Sequence, residues 1–355
     1  MTTHSDSPRI AIIGAGVSGA ACAASLQRAG LQVTLFDRSR GVGGRMATRR
    51  AKWVDTSGAV QRVEFDHGAQ LFGAQHPRFR AVVARAQAAG CVATWRPRVH
   101  APRLGGPTDR SVAPVPSMPS FCRHLIGAAS IRLEQAVQRL QRGADGWPVV
   151  TTGGESTGPF DHVMLATPPA QAALLLAGHH DAWADTLAAV RMEPCWTLMA
   201  ATADADWPWD AAEPARGPLA WVSRNDRRPG RAAPPGCASW VAHASAAWSA
   251  AHLEDDARDV TAALSEALAR LLPCNTPLDW HHASAHRWRY AFPAEGLPGG
   301  DECWWDGALG LGVCGDFFGA AAASGAGVEA AWRSGDELAD VASAWLEAEQ
   351  DAQAA

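Results

Sequence analysis

The chain has 355 residues, of which 47% are hydrophobic and 19% are charged, and its formal net charge is −5. This length predicts two connected domains. The negative net charge argues against a nucleic-acid partner, because proteins that bind nucleic acids are usually basic. The polar first eight residues lack the apolar stretch of a signal peptide, and no apolar run is long enough to span a bilayer. We therefore expect a globular, cytoplasmic protein without a membrane partner, whose eight scattered cysteines are reduced.

The first motif is a strand, a glycine turn, a helix and a second strand near the N-terminus. An apolar run at 10–13 precedes Gly14, Gly16 and Gly19, which have the spacing G-x-G-x-x-G, and the second strand ends at Asp37. These glycines let the backbone approach a pyrophosphate, the helix N-terminus attracts its charge, and the acid accepts hydrogen bonds from a ribose. The motif therefore predicts a dinucleotide site; the alternative is a turn with a purely structural role.

Two segments that follow the second strand carry further candidate residues. Paired glycines precede Arg45, whose guanidinium can neutralise a cofactor pyrophosphate, whereas the neighbouring basic residues are expected to be solvated. A strand predicted at 59–65 leads into Gly68, Ala69 and Gln70. Two small residues let a flat ring approach the backbone, and the amide both donates and accepts hydrogen bonds. A hairpin corner explains this segment equally well.

The middle of the chain predicts a second, mainly antiparallel unit. Helices are predicted at 78–89, 120–126, 170–190 and 252–272, and strands at 131–140, 148–152, 162–166, 195–201, 220–223, 239–243 and close to 285–290. The strand at 162–166 stops at two prolines, where a second domain can leave the first. The loop at 224–231 is charged and is expected to be solvated. His281, His282 and His286 lack supporting ligands at metal-site spacing, so we predict no metal.

The last motif repeats the arrangement of the first. A strand predicted at 308–314 runs into Gly315 and Asp316, and a long helix begins near Gly327 or Val328. A carboxylate and a helix N-terminus again combine into a site for sugar hydroxyls and electron-rich atoms. Two such motifs at opposite ends of one chain favour a single extended cofactor, FAD, with its AMP half on the first motif and its flavin half on the last.

The order and spacing of these motifs resemble the renalase-like branch of FAD-dependent oxidoreductases, within the amine-oxidase and phytoene-desaturase superfamily. The most specific motif is FDRSRGVGGRMATRR at 36–50, and others lie at 66–72, 162–169, 191–196, 285–288 and 313–316. The resemblance implies an α/β fold: an FAD-binding Rossmann-like domain with a parallel sheet, and an α+β substrate domain whose antiparallel sheet covers the flavin. We assign 1–78, 118–168 and 305–347 to the FAD-binding domain, and 79–117 and 169–304 to the substrate domain.

The same resemblance implies which residues hold noncovalent FAD. Its AMP and pyrophosphate would contact Gly14, Ala15, Gly16, Val17, Ser18, Asp37, Arg38, Gly44, Arg45 and Met46, with Val137 beside the adenine. The ring would lie on Gly68, Ala69 and Gln70, the ribityl chain on Gly315 and Asp316, and the N1 and O2 atoms near Val328. One departure is the glycine- and alanine-rich segment 317–327, which is longer than in similar chains and leaves the substrate open.

The resemblance further implies an oxidase of misreduced 2- and 6-dihydro isomers of NAD(P)H, with hydride transfer to flavin N5 and reoxidation by O2. A dihydronicotinamide needs positioning more than an acid or a base. Candidate substrate contacts are Arg224, His243, Arg287 and Tyr290. An amine oxidase or desaturase is the first alternative, although one lysine and one tyrosine make an amine substrate less favoured. A non-catalytic flavin-binding protein is the second alternative, and the oligomeric state is not predicted.

Overall fold

The computed structural model describes residues 7–101, 111–204, 207–271, 278–319 and 326–354. Within them the helices are α1 (Val17–Arg28), α2 (Pro77–Ala88), α3 (Pro119–Ile126), α4 (Pro169–Leu176), α5 (Asp181–Ala188), α6 (Ala246–Ala251), α7 (Ala257–Leu271) and α8 (Ala326–Ala354). The strands are β1 (Arg9–Ile13), β2 (Gln32–Phe36), β3 (Arg49–Val54), β4 (Val60–Phe65), β5 (Val92–Thr94), β6 (Val99–His100), β7 (Val112–Pro114), β8 (Ser130–Arg132), β9 (Val137–Leu140), β10 (Trp147–Thr151), β11 (Ser156–Phe160), β12 (His162–Leu165), β13 (Met192–Ala203), β14 (Ala211–Ala212), β15 (Leu219–Arg224), β16 (Cys237–Ala244), β17 (Trp280–Pro293), β18 (Trp304–Asp306) and β19 (Leu311–Val313).

The first large sheet has the strand order β18-β19-β12-β1-β2-β8 and is parallel except for β18. Its central strand is buried on both faces, as the continuous apolar run predicts. Ile10 and Ile12 pack with α1, α2, α3 and α8, whereas Ala11 and Ile13 pack with α4 and α5 on the other face. Because successive strand residues point to opposite sides, one short run supplies both cores.

The C-terminal helix α8 returns to the N-terminal helix α1. A Cβ atom at Gly335 would lie 2.0 Å from the Ser18 carbonyl oxygen, so the absence of a side chain permits this close approach. Next to this contact, Ser25 donates a hydrogen bond of 2.6 Å to the buried carboxylate of Asp336. The two ends of the chain are thereby held together beside the first sheet.

The second large sheet has the order β17-β13-β16-β15-β14-β6 and is antiparallel except for the β14–β6 pair. One face packs on α7 through residues such as Leu198 and Trp240. The other face packs on the β3–β4 hairpin, where Met199 and Val241 contact Phe65. This arrangement confirms the predicted fold class, a parallel Rossmann-like sheet with a second, antiparallel sheet. The domain boundaries stay a prediction.

Three element predictions were wrong in their extent. The segment 131–140 is not one strand, because Glu134 adopts a φ of 58° between β8 and β9, which belong to different sheets. The segment 170–190 forms two helices, since Gly178, with a φ of 76°, follows the end of α4. The longest described helix is α8, and α7 begins only at Ala257. None of the described helices is long and apolar enough to cross a membrane.

Candidate functional site

The glycine turn after β1 is closely packed at Gly14 and Gly19 and open at Gly16. Gly14 has a φ of 112°, and a Cβ atom there would lie 2.5 Å from the Ala166 carbonyl oxygen. A Cβ atom at Gly19 would lie 1.9 Å from the Gly14 carbonyl oxygen, so both positions require glycine. By contrast, a Cβ atom at Gly16 would meet nothing within 4 Å. The turn therefore leaves space above Gly16, as the close approach of a pyrophosphate to the backbone requires.

Asp37 fixes this turn from the end of β2. One carboxylate oxygen accepts a hydrogen bond of 2.8 Å from the Ala15 amide, and the other accepts one of 2.8 Å from the Ser39 amide. A carboxylate has about four acceptor positions, so lone pairs stay available for ribose hydroxyls. Val17 and Ser18 are buried in the first turn of α1, whereas Arg38 is exposed.

The loop before β3 packs directly on the glycine turn. The Gly43 amide donates a hydrogen bond of 2.8 Å to the Ala15 carbonyl oxygen. Gly44 has a φ of 56°, and a Cβ atom there would lie 3.3 Å from the Gly16 Cα atom. Met46 is buried behind the loop. The structure therefore brings the first two predicted motifs into contact.

Arg45 joins the N-terminal and C-terminal motifs. Its two terminal nitrogens donate hydrogen bonds of 2.7 Å, one to each carboxylate oxygen of Asp316. Its Nη1 atom also donates one of 3.0 Å to the carbonyl oxygen of Ala291 in β17. Burial alone would lower the pKa of Arg45, but the charge and hydrogen bonds of Asp316 outweigh it and raise that pKa. Arg45 thus ties the second sheet to both ends of the predicted cofactor site.

The segment 66–70 lies against the Arg45 backbone. A Cβ atom at Gly68 would lie 1.8 Å from the Arg45 carbonyl oxygen, which accepts a hydrogen bond of 2.9 Å from the Ala69 amide. The Gln70 side chain donates a hydrogen bond of 2.8 Å to the Asp66 carbonyl oxygen and accepts one from the Ser223 hydroxyl. Both ends of that amide are therefore used to hold the segment under the second sheet.

Histidines from both halves of the structure meet over Gly68. In the second sheet, Thr197 of β13 pairs with His243 on one side and with His286 on the other. The ring of His67 lies 4.8 Å from the ring of His286 and 5.0 Å from that of Trp288. The indole nitrogen of Trp288 donates a hydrogen bond of 2.9 Å to the His67 carbonyl oxygen. We call His67, His243 and His286 the imidazole cluster.

Burial keeps the imidazole cluster neutral. It lowers the pKa of His67 to about 3 and the pKa values of His243 and His286 to about 4. The Nδ1 atom of His67, the Nε2 atom of His243 and the indole nitrogen of Trp221 are buried without a hydrogen-bond partner in the described structure. Trp221 pairs with His243 in the sheet. Because buried polar atoms are normally satisfied, these three atoms stand out as unsatisfied.

A buried ion cluster supports the segment 66–70 and was not predicted. The carboxylate of Asp66 is bound by Arg228, by Arg231 at 2.7 Å, and by the Thr48 hydroxyl at 2.5 Å. Burial lowers the pKa of Arg228 to about 10, although Asp66 acts in the opposite direction. The prediction that the loop at 224–231 is solvated was therefore wrong. An aspartate directly after the apolar end of a strand was the available signal, because a buried charge needs a partner.

Two predicted substrate contacts lie elsewhere, contrary to the prediction. Arg224 is 1% exposed and is bound by Asp226 and Asp204. Arg287 lies on the opposite face of β17 from His286, with its guanidinium carbon 5.4 Å from the Trp196 ring centroid. Neither guanidinium reaches the imidazole cluster, because both are held on the other side of the second sheet.

The other predicted residues have the following places. Tyr290 is 38% exposed on β17, beyond Trp288. Val137 begins β9 and Val328 is buried in the first turn of α8. The Gly315 amide donates a hydrogen bond of 2.8 Å to the Ser334 hydroxyl. Residues 320–325, within the segment flagged at 317–327, lie outside the described residues. In the described parts of the chain, no group of three potential ligands could hold a metal ion.

Known structures share this fold over nearly their whole length. A putative protoporphyrinogen oxidase from Exiguobacterium sp. 255-15 superposes with a TM-score of 0.71 at 13% identity, covering 95% of this chain and 99% of that one. An oxidoreductase from Methanosarcina mazei gives 0.64 at 14% identity, over 92% and 100% of the two chains. A putrescine oxidase variant with redesigned cofactor binding gives 0.64 at 14%, over 94% and 98%. At these identities the likeness concerns the fold alone.

Sequence comparisons assign the family. A curated relative, the tRNA 5-methylaminomethyl-2-thiouridine biosynthesis bifunctional protein MnmC of Magnetococcus marinus, is 30% identical over 197 residues. That match covers 44% of this chain and 29% of the relative, so the chain spans less than a third of the relative's length. Residues 12–86 match an NAD(P)-binding Rossmann-like domain. Residues 118–342, well over half of the chain, match the flavin containing amine oxidoreductase model, and the chain therefore belongs to this family of FAD-dependent oxidoreductases.

Proposed function

We propose that this chain is a renalase-like oxidase of misreduced nicotinamide dinucleotides, the 2- and 6-dihydro isomers of NAD(P)H. A dihydronicotinamide, O2 and one proton would give β-NAD(P)⁺ and H2O2. When bound, FAD would accept the hydride and pass both electrons to O2. The observation that carries the proposal is the neutral imidazole cluster beside Gly68, where the nearby carboxylates of Asp66 and Asp316 are each bound by arginine.

The imidazole cluster suits a donor that needs no deprotonation. An alkylamine has a pKa of roughly 10, and it must lose a proton before it can release hydride. Imidazoles with pKa values of about 3 to 4 are weak proton acceptors at pH 7. A dihydronicotinamide is already activated by its ring nitrogen and needs orientation instead.

Three unpaired polar atoms support the same substrate class. The indole nitrogen of Trp221 can donate a hydrogen bond, and the free ring nitrogens of His67 and His243 donate or accept according to their tautomers. A carboxamide has one acceptor and two donor hydrogens, so it complements this set. Trp288, which lies beside His67, offers a flat apolar surface to a ring.

The residues in place also suit noncovalent FAD. Asp37 and Asp316 supply carboxylates where two sugar-like chains would lie. Arg45 is paired with Asp316, but three of its five N–H donors are used, so two stay available to a pyrophosphate oxygen. Burial raises the pKa values of the Cys22 and Cys314 thiols, which keeps both protonated and disfavours a thioether to the flavin.

An amine oxidase is the second candidate, because the family model and the putrescine oxidase fold favour it. The wall formed by Trp288 and His67 could pack on an alkyl chain. Against this candidate, the only lysine of the sequence, Lys52, is exposed on the β3–β4 hairpin and cannot hold a water at the imidazole cluster.

Anaerobic mixing of the purified holoprotein with separated dihydronicotinamide isomers tests the proposal. We expect the 2- and 6-dihydro isomers to abolish the oxidised-flavin absorbance, and air to restore it with one H2O2 per NAD(P)⁺. The ordinary 4-dihydro isomer serves as the matched control and should act far more slowly. Reduction by an amine panel and by no dihydronicotinamide would replace the proposal with the second candidate. Absence of turnover with every donor would indicate a non-catalytic flavoprotein.

A further inference from the structure

Arg49 lies on the inner face of the β3–β4 hairpin. Strand residues alternate between faces, and Trp53, on the same face as Arg49, stacks on His281 with ring centroids 6.0 Å apart. The Nη1 atom of Arg49 lies 3.4 Å from the Nδ1 atom of His286. Its strand partner across the hairpin is Phe65, two residues before His67. Arg49 is therefore at the rim of the imidazole cluster.

The charge of Arg49 is not neutralised by a neighbour. Among the described residues, no carboxylate oxygen lies within 4.0 Å of its guanidinium, whereas Arg45 is bound by Asp316 and Arg50 is bound by Glu64. After burial, the charge of Arg49 is a further cause of the lowered pKa of His286. Its positive potential thus extends into the cluster.

A guanidinium without a carboxylate partner, beside neutral rings, defines the kind of ligand that fits. Arginine binds phosphate oxygens through short, charge-assisted hydrogen bonds. An alkylammonium ion would be repelled by the same charge, and the described cluster offers no free carboxylate to compensate. A substrate with a flat neutral ring and a phosphate nearby satisfies both parts of the surface.

We infer that Arg49 binds a phosphate of the substrate, so that the site prefers phosphorylated dihydronicotinamides over uncharged ones. This inference rests on the proposed oxidation of dihydronicotinamides and adds a specificity determinant to it. The ring would occupy the surface formed by His67, His243, His286 and Trp288. The phosphate would lie at the hairpin, between Arg49 and solvent.

The neighbouring residue provides a matched control. Arg50 has the same side chain and charge, but it lies on the outer face of the hairpin and pairs with Glu64. Arg49→Gln and Arg50→Gln therefore remove one positive charge each, at adjacent positions on opposite faces. Arg49→Lys keeps the charge and should recover most of the affinity if Arg49→Gln loses it.

The experiment compares the 6-dihydro isomers of nicotinamide mononucleotide and of nicotinamide riboside, which differ by one phosphate. For the mononucleotide, Arg49→Gln should raise KM by about tenfold to a hundredfold with kcat nearly unchanged, as expected for a lost charged hydrogen bond. KM for the riboside should change less than about twofold, and Arg50→Gln should affect neither substrate. The flavin spectrum and the thermal midpoint of each variant verify that the fold is intact.

Two results would overturn the inference and leave the proposed function standing. One is an equal effect of Arg49→Gln on both substrates, and the other is an equal effect of Arg50→Gln and Arg49→Gln on the mononucleotide. A different result separates the two proposals: if the wild-type protein oxidises neither the mononucleotide, nor the riboside, nor the 6-dihydro isomer of NAD(P)H, the proposed function is wrong and the role of Arg49 falls with it.

Discussion

The pair between Arg45 and Asp316 gives the sharpest stability prediction, because it joins segments 271 residues apart. The substitutions are Arg45→Gln and Asp316→Asn, alone and together. Each one removes one charge of the ion pair. Arg50→Gln serves as the control, since its bond to Glu64 joins side chains that are 86% and 42% exposed.

The expected magnitude follows from the burial of the two side chains. Asp316 is 5% exposed and Arg45 is 33% exposed, so the pair lies between the surface and buried cases. Exposed ion pairs contribute about 0–1 kcal/mol, and removing one partner of a buried pair costs about 3–5 kcal/mol. We therefore expect each single substitution to lower the free energy of unfolding by about 2 kcal/mol, and the control to lower it by under about 0.5 kcal/mol.

Urea denaturation of the four proteins measures the coupling. The double variant should lose at least about 1 kcal/mol less than the sum of the two single variants, since both break the same contact. The FAD dissociation constant of each protein is measured separately. Its contribution, RT ln(1 + [FAD]/Kd), is then subtracted, because weaker cofactor binding alone also lowers apparent stability.

Additive losses would refute the reasoning. If the two single effects sum to the double effect within about 0.5 kcal/mol after the FAD correction, the side chains act independently. An equal loss of stability in Arg50→Gln and Arg45→Gln would also refute the reasoning, since the loss would then not depend on the contact with Asp316.

Three further predictions concern the segment beside this pair. Burial lowers the folded-state pKa of His67 from 6.5 to about 3, so as the pH falls the unfolded chain binds a proton at this residue before the folded chain does. The contribution of His67 to the free energy of unfolding should therefore be fully present above pH 6.5 and be lost progressively toward pH 3. In urea titrations at a series of pH values, His67→Asn should flatten that decline. Gly68→Ala should lower the free energy of unfolding by at least about 2 kcal/mol, because its Cβ atom would lie 1.8 Å from a backbone oxygen. The control Gly73→Ala, whose Cβ atom would meet nothing within 4 Å, should change it by less than about 0.5 kcal/mol, and thermal denaturation compares the two variants. Arg228→Met should cost about 3 kcal/mol in urea denaturation, since it leaves the buried Asp66 with one arginine fewer; a loss below 1 kcal/mol would contradict this role.

The cofactor motifs could be predicted because each is local in sequence. Gly14, Gly16 and Gly19 occupy one turn and the start of one helix, and Asp37 ends the next strand, so spacing alone specifies their arrangement. The same holds for Gly315 at the end of the last buried strand. In these places the residue type and its position in one supersecondary unit are enough to predict where the residue lies.

The partners of charged residues could not be predicted in the same way. Nothing near Arg45 in sequence indicates that Asp316 binds it, because the contact depends on how the two ends of the chain return to one sheet. The arginines that bind Asp66 come from a loop rich in charge, which normally indicates solvent exposure. Strand alternation does predict that His286 and Arg287 face opposite sides, but the sequence does not say which side faces the site.

One packing arrangement explains both the rigidity and the chemistry proposed for the site. The second sheet covers the segment 66–70, and Ser223 of that sheet holds Gln70 in place. The same cover removes His67 from water, and the loss of solvation lowers its pKa to about 3. A site that is closed enough to orient a ring is therefore also too poorly hydrated to keep a protonated imidazole at pH 7. An activated hydride donor benefits from the closed site, which orients its ring, and does not need a protonated imidazole. An ammonium substrate needs a proton acceptor, and this packing makes the imidazoles too weakly basic to serve as one.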